Sequence, residues 1–387
     1  MIDRALSGKI NALRKKYPVL TLTGPRQTGK TTLLKALYKD LPYVSLEDLD
    51  NRSAASTDPR GFLSNFPIGA VIDEIQQVPS LLSYIQTVVD SKDVHFALSG
   101  SHNFQLLQSI TQSLAGRTAI LKLLPFSYTE LVLGGFKFDN YEQIVFRGAY
   151  PRIYDKGIEP IDFYPSYTNT YIERDVRQIK NIEDLNAFSL FLRLCAGRIG
   201  QVLNIQSLAT DAGISPNTAK SWLSVLEASY IIYLHKPHFQ NFNKRLVKSP
   251  KLYFYDTGLA CSLLHINALD QLATHYLKGG LFENYVINEV MKAYLNLGMN
   301  PPLYFWQSKD KKEVDIIIDS PSGPIPYEIK SSKTRMNNLF GNLIYWQKLT
   351  NARTQSLQVI YGGDEDFNTS MGRFISWGNI SQHLPIK

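Results

Sequence analysis

The sequence predicts an α/β protein with a buried parallel sheet at its N-terminus, a helical middle and a second α/β unit at its C-terminus. Three observations carry that expectation. Up to about residue 135, short runs rich in apolar and β-branched residues alternate with helical stretches, as in a parallel sheet covered on both faces. The first run, Val19 to Thr23, passes through a loop framed by glycines into a helical stretch, the context in which a phosphate-binding loop has meaning. From roughly Tyr253 onward a long helix, residues 281–295, precedes a set of strands instead of alternating with them, so the last unit follows a different plan.

Composition narrows the class. The 387 residues are 44% hydrophobic and 19% charged, which supplies a sizeable core for two or three domains and excludes disordered, collagen-like and coiled-coil chains. A net charge of +7 and a pI near 9.1 are compatible with nucleic acid or acidic partners, but spread over this length they select neither. Cys195 and Cys261 lack paired spacing, so neither a disulfide framework nor a thiolate metal site is expected, and a reducing cytoplasm is the simplest location. No stretch has the length of a membrane span or a secretory leader, so no membrane partner is expected. The seven histidines show no metal-binding periodicity and read as packing or surface residues.

The loop Gly24-Pro25-Arg26-Gln27-Thr28-Gly29-Lys30-Thr31 fits G-x-x-x-x-G-K-[ST] between an apolar strand and a helix. Such a loop turns backbone N–H groups and a helix N-terminus toward a triphosphate. These eight residues, with Thr32, are the candidate nucleotide-binding set: Lys30 would contact the β and γ phosphates and Thr31 would ligate Mg²⁺. The strand from Ala70 ends in Asp73 and Glu74. Asp73 would hold the Mg²⁺ through water, and Glu74 would orient and deprotonate the attacking water. A third strand ends in Ser99, Gly100, Ser101, His102 and Asn103, which makes Ser101 or Asn103 a candidate γ-phosphate sensor. Arg117, in Leu114-Ala115-Gly116-Arg117, would reach a phosphate of its own or a neighbouring subunit, or else lies on the surface where the next strand opens.

At these residues the chain resembles a family of AAA-type ATPases, widespread in bacteria and archaea, that carry a C-terminal domain of uncharacterised function. The resemblance runs through GPRQTGKTT, VIDEIQ, the SGS strand end, SLAGR, PFSYTEL, RGAYPR, YIERDV, YFYDTGLA and LFENYVINEV, in that order. It implies ATP as the nucleotide and an AAA-like sheet with the loop strand central. His102 and Asn103 depart from the small polar residue that relatives often carry after SGS.

In the middle of the chain, Leu208, Ala212, Ile214, Leu223, Leu226 and Ile231 supply apolar positions around a turn at Gly213, and Ser215-Pro216 supplies an N-cap and a first-turn proline. Together they read as a helix-turn-helix, winged by a hairpin drawn from the residues that follow. A DNA reader would present Asn217, Thr218, Lys220 and Ser221, with Lys244, Arg245 and Lys248 on phosphates. That helix carries few cations, and a protein interface or a rigid spacer fits it equally.

Near the C-terminus Asp315 lies on one expected strand, and Glu328 and Lys330 lie two apart on the next, so the latter pair shares a face that an adjoining strand brings Asp315 beside. Converging carboxylates repel unless a divalent cation lies between them, and Mg²⁺ or Mn²⁺ favours such oxygen ligands. Lys330 would then orient or activate a water against a scissile phosphate. On a helical wheel Glu283 falls among Val286, Ile287 and Val290, opposite Asn284, Asn288 and Lys292, so it points inward and needs a partner. The set resembles the PD-(D/E)XK nuclease superfamily, with Glu283, Asp315 and Glu328 as metal ligands. A structural ion-pair cluster in a domain that keeps the fold for binding is the alternative. Tyr304, Phe305, Trp306, Lys309, Lys311 and Lys312 would stack on and neutralise a nucleic-acid strand, or form a core strand ending in a solvated loop.

The expected organisation is thus an AAA-like P-loop domain over residues 1–135, a helical lid or connector over 136–185, a winged helix-turn-helix over 186–252 and a nuclease-like domain over 253–387. The expected activity is ATP hydrolysis coupled to nucleic-acid engagement, with Mg-dependent DNA cleavage left open. The rival is a nucleotide-gated switch whose inactive nuclease-like domain holds a protein or DNA partner. Oligomerisation is left open.

Overall fold

Strands β1 (Val19–Thr23), β2 (Tyr43–Ser45), β3 (Gly69–Asp73), β4 (His95–Gly100) and β5 (Thr118–Lys122) form an all-parallel sheet in the order β2-β3-β4-β1-β5. This is seen in a computed structural model that describes residues 2–101, 110, 112–172, 184–238, 247–350 and 357–386. The alternation of side chains along each strand builds two cores. Val19, Ala70, Ile72, Phe96 and Leu98 pack on one face with the helix Leu81–Ser91. Leu20, Leu22, Val71 and Ala97 pack on the other with the helices Ser7–Leu13 and Lys30–Leu37. Each large aliphatic side chain so buried contributes roughly 1.5–3 kcal/mol. The loop strand β1 is interior, as expected, but lies between β4 and β5, one place from the edge, so the middle position belongs to β4.

Register decides which residues share an edge. Thr23 is paired with Gly100 on one side and Lys122 on the other, and Ser45 with Asp73. The loop after β1, the carboxylates at the end of β3 and Ser101 therefore emerge together at the carboxyl edge, where open parallel sheets bind ligands.

Beyond β5, short helices (Tyr128–Leu133, Tyr141–Arg147, Pro151–Lys156, Pro160–Tyr167) lead to the helix Leu185–Ala196. The helices Ile205–Asp211 and Pro216–Ala228 follow, joined through Gly213 at φ +67°, with Ser215 accepting from the Thr218 amide. An antiparallel pair, β6 (Ile232–His235) and β7 (Lys251–Phe254), completes this part. Strand β7 runs across residues 252 and 253, where the sequence reading divides two domains.

The second sheet has the order β12-β13-β11-β10-β9-β8, from β8 (Leu303–Gln307), β9 (Glu313–Ser320), β10 (Gly323–Lys330), β11 (Leu357–Tyr361), β12 (Phe367–Asn368) and β13 (Gly372–Ser376). Trp306, Val314, Ile317 and Val359 face the helix Gly341–Thr350. Ile316, Ile318, Tyr327 and Ile329 face the other way, into one apolar cluster that runs continuously from Leu124 to Ile380. The middle and C-terminal parts thus share a core. At its centre lies the helix Lys278–Asn296, whose polar side is buried as well. Asn284 exchanges hydrogen bonds with the Phe254 backbone, Asn288 donates to Phe254 and Tyr255, and Lys292 donates to the Phe126 carbonyl. No helix among the described residues is long and apolar enough to cross a membrane.

Candidate active site

The loop after β1 is shaped by a close approach. Gly24 has φ +144°, and a Cβ there would lie 2.1 Å from the Leu123 carbonyl oxygen, so only glycine fits. Gly29, left-handed at φ +86°, turns the chain into the helix Lys30–Leu37. Lys30 is buried and donates to the carbonyls of Gly24 and Pro25 at 2.9 and 2.7 Å, and Thr28 Oγ1 donates to Pro25 at 3.0 Å. From behind, Arg4 donates to the Thr28 and Leu124 carbonyls and pairs with buried Glu130 at 3.1 Å. Arg26 is buried and faces Glu47 at 3.5 Å and Glu74 at 3.9 Å. Gln27 takes a positive φ of 60°. Thr32 is exposed on the helix.

Thr31 Oγ1 donates to Asp73 Oδ2 at 2.8 Å, across the space between loop and strand. Tyr43 donates to the same oxygen at 3.0 Å, and Ser99 donates to Asp73 Oδ1. Burial, with Asp73 beside it, pushes the Tyr43 phenol up to about 12. Glu74 takes a left-handed conformation, φ 54° and ψ 45°, which costs ~1–3 kcal/mol for a non-glycine residue. Ser101 Oγ at 2.9 Å and Gln76 hold its carboxylate in place. Three hydroxyls on Asp73 and two donors on Glu74 leave the first carboxylate fixed under the loop and the second turned across the edge.

Ser101 therefore contacts Glu74 as a buried residue, while Asn103 lies outside the described residues. Arg117 is at the opposite edge: its carbonyl accepts from the Val19 amide where β1 begins, and its guanidinium holds Asp90 at 2.5 and 2.8 Å. The length of β1 separates it from the loop of its own chain, so the expectation of a contact in cis is not met. Tyr43, Gln76 and Arg4 were not singled out in the sequence, and Ser99 was named there only as part of its strand end. Gln76 adjoins a recognised motif, whereas Tyr43 reaches the site through the sheet order and Arg4 through packing of the N-terminal segment on the loop.

A second acidic centre lies at the far end of the chain. The β9–β10 ladder ends at Tyr327 opposite Ile316, and beyond it Asp315 Oδ2 accepts the Ile329 amide at 2.7 Å. Lys330 pairs with Glu328 at 2.6 Å and reaches Asp315 at 3.9 Å, as the strand alternation predicts. Glu283 points inward as expected, but the carboxylates that meet within 4.8 Å of one another are Glu283, Glu313 and Asp315. Glu328 stands outside this group, held by Lys330 and Asn342. Glu313 shares a face with Asp315 because they stand two apart on β9, a spacing already legible in the sequence.

Lys251 of β7 was not anticipated. Its Nζ is 2.7 Å from Glu283 Oε1 and also pairs with Glu313, and Tyr253 donates to the same Glu283 oxygen. Burial would lower the Lys251 ammonium, but Glu283, Glu313 and Asp315 raise it on balance. Burial lifts Glu283 to about 7 despite Lys251, and lifts Glu328 to about 8 with Asp315 adding to it. Phe305 and Trp306 are fully buried while Lys309, Lys311 and Lys312 are exposed, so the core-strand reading of that tract holds and stacking by those two rings does not. In the helix pair, Asn217 and Lys220 are exposed, as is Lys248, whereas Lys244 and Arg245 lie outside the described residues.

Comparison with known proteins finds three matched stretches. Residues 16–132 match a family model described as an AAA domain, residues 138–270 one described as a domain of unknown function (DUF8612), and residues 278–380 a second such domain (DUF4143). An uncharacterised protein of Mycobacterium tuberculosis is 27% identical over 373 residues, 95% of this chain and 81% of that protein. An uncharacterised protein of Haemophilus influenzae is 21% identical over 332 residues, 77% of this chain and 79% of that protein. A Walker-type ATPase of Pyrococcus abyssi aligns in structure with a TM-score of 0.47 at 15% identity, over 68% of this chain and 96% of that one. Residues 16–132 thus match an AAA domain, and the two stretches that follow match families of unknown function.

Proposed function

We propose that the protein hydrolyses ATP at the carboxyl edge of its first sheet and uses the nucleotide state to control engagement of nucleic acid by its later domains. The observation that carries the first half is the convergence of Lys30, Thr31, Asp73 and Glu74, with Thr31 and Asp73 2.8 Å apart. Thr31 and Asp73 would hold Mg²⁺, which bound with the triphosphate neutralises charge on the β and γ oxygens. Lys30 would exchange the carbonyls of Gly24 and Pro25 for phosphate oxygens, with Arg26, Gln27, Thr28, Gly29 and Thr32 completing the cradle. Glu74, aimed by Ser101 and Gln76, would take the proton of the attacking water. Arg117 would serve only in a neighbouring subunit.

The second half is supported by the shared core and by exposed Asn217, Lys220 and Lys248, side chains suited to base edges and phosphates. One observation favours the rival reading of a switch that binds without cleaving: Lys251 already fills the carboxylate group of the C-terminal domain. Three assays separate these. Lys30→Ala should abolish ATP affinity, and retained affinity overturns the nucleotide site. An ATPase rate that DNA leaves unchanged, with no salt-sensitive DNA binding, overturns nucleic-acid engagement. Cleavage of DNA in Mg²⁺ or Mn²⁺ that disappears in Asp315→Ala and Lys330→Ala would decide for a nuclease over a switch.

A further inference from the structure

At the amino edge of the first sheet, the end away from the phosphate loop, a cavity of about 230 Å³ opens between the helices Pro59–Ser64 and Leu81–Ser91. Its walls include Leu63, Phe66, Tyr84 and Val88, and Arg60 and Lys92 stand exposed beside it. An apolar cavity of ~150 Å³ takes up a benzene ring, so this one has room for one large apolar side chain. Among the described residues neither cation has an ion pair, and no acid lines the cavity. The site therefore asks for an apolar group carried between negative charges. Such a group lies on the same domain, at the other end of the sheet. Leu49 opens the helix Leu49–Thr57 and is 73% exposed. Its neighbours Glu47, Asp48 and Asp50 are exposed with it, and Asp48 fixes the turn by accepting the Asn51 amide at 3.0 Å. The other apolar side chains as far out in solvent, Leu133 and Tyr276, have no acid next to them in the chain.

We propose that the occupant of this cavity is a second copy of the chain, whose Leu49 enters it while Asp48 and Asp50 meet Arg60 and Lys92. Within one chain the two features cannot meet, because the length of β3 lies between the edge after β2 and the edge before β3. Between copies they can. The two surfaces are different patches of the same domain, so the contact is head-to-tail: every copy that docks its Leu49 still offers an open cavity, and the assembly closes as a ring or extends. The opposed charges select this pairing and fix its register. Glu47, in the docking segment, faces Arg26 of the phosphate loop at 3.5 Å, so the neighbour's amino edge comes to lie beside the nucleotide edge of the copy that docks. The inference does not depend on ATP hydrolysis, and its test uses no nucleotide.

The test is sedimentation velocity of the full-length protein over a concentration series at low salt, where charge contacts are least screened. Wild type should grow in mass beyond a dimer as concentration rises. Leu49→Ser removes the inserted side chain, and the double variant Arg60→Glu/Lys92→Glu reverses the charge at the cavity. All three positions are exposed, so each variant should keep its fold, which circular dichroism checks. Each alone should associate about tenfold or more weakly than wild type. Mixed in equal amounts the two variants should form dimers and nothing larger, because the intact Leu49 of one meets the intact cavity of the other and no further pair remains. A wild type that stays monomeric overturns the proposal, whatever else the cavity binds. So does a Leu49→Ser protein that assembles like wild type, a mixture no more associated than its components, or a mixture that grows past the dimer.

Discussion

Tyr230 donates its hydroxyl to Thr23 Oγ1 at 3.1 Å, with both residues buried. Thr23 in turn donates to the Leu121 carbonyl at 3.3 Å and is the last residue before Gly24 of the phosphate loop. Tyr230 stands at φ +56° where the helix Pro216–Ala228 passes into β6, and its ring packs edge-on against Tyr255. The strand end that carries the loop is thereby tied to the hairpin that carries Lys251. Tyr230→Phe should cost about 1 kcal/mol of stability and leave ATP affinity intact. Hydrogen exchange over residues 205–235 should then no longer respond to nucleotide; an undiminished response would place the coupling elsewhere.

Arg4 should matter to the loop without touching phosphate. It holds the Thr28 carbonyl at 2.8 Å and Glu130 at 3.1 Å, both within a buried setting. Arg4→Ala breaks a buried ion pair, for which about 3–5 kcal/mol is expected, moderated because Glu130 keeps the Ala5 and Ser127 amides. Chemical denaturation measures it, and a loss below about 1 kcal/mol would contradict the role given to this pair.

His235 sets a pH dependence. Burial, with Lys251 nearby, lowers it from the ordinary 6.5 to about 3. In the unfolded chain it takes a proton below about 6.5, whereas the folded chain resists protonation down to about 3. Its contribution to stability is therefore complete above the upper value and falls as pH drops through that window. His235→Phe should flatten the fall in unfolding free energy between pH 7 and about 5. Parallel slopes in variant and wild type would assign the dependence to other groups.

Arg117→Ala should leave turnover per chain unchanged at dilutions where the protein is monomeric, because Arg117 holds Asp90 at the wrong edge of the sheet. If an assembled form loses turnover on the same substitution, the arginine acts across subunits. A loss in the monomer would contradict its placement here.

The phosphate loop and the acids after β3 are legible in the sequence because each sits at a strand end with a fixed relation to its neighbours. The alternation of Glu328 and Lys330 is legible for the same reason. Tyr43, Arg4 and Lys251 are not, since each reaches its partner through sheet order or through packing of one part on another. The helix wheel places Glu283 correctly but gives no sign that Asn284, Asn288 and Lys292 are also buried, because each donates to backbone carbonyls of β7 or of the segment after β5. Pattern cannot reveal a hydrogen bond whose other half is main chain. Arg117 shows the limit of a motif position: the sequence allowed a phosphate contact or a surface place where β5 opens, and strand register puts it at the opposite edge on Asp90.

In the proposed reaction Glu74 activates water against a nucleotide held by Lys30 and Thr31. Glu74→Gln keeps the shape and removes the base, so calorimetric titration with ATP and Mg²⁺ beside a phosphate-release assay tests it most directly. The variant should bind ATP at least as tightly as wild type, with phosphate release reduced at least about a hundredfold. Release at the wild-type rate, with binding intact, would contradict it.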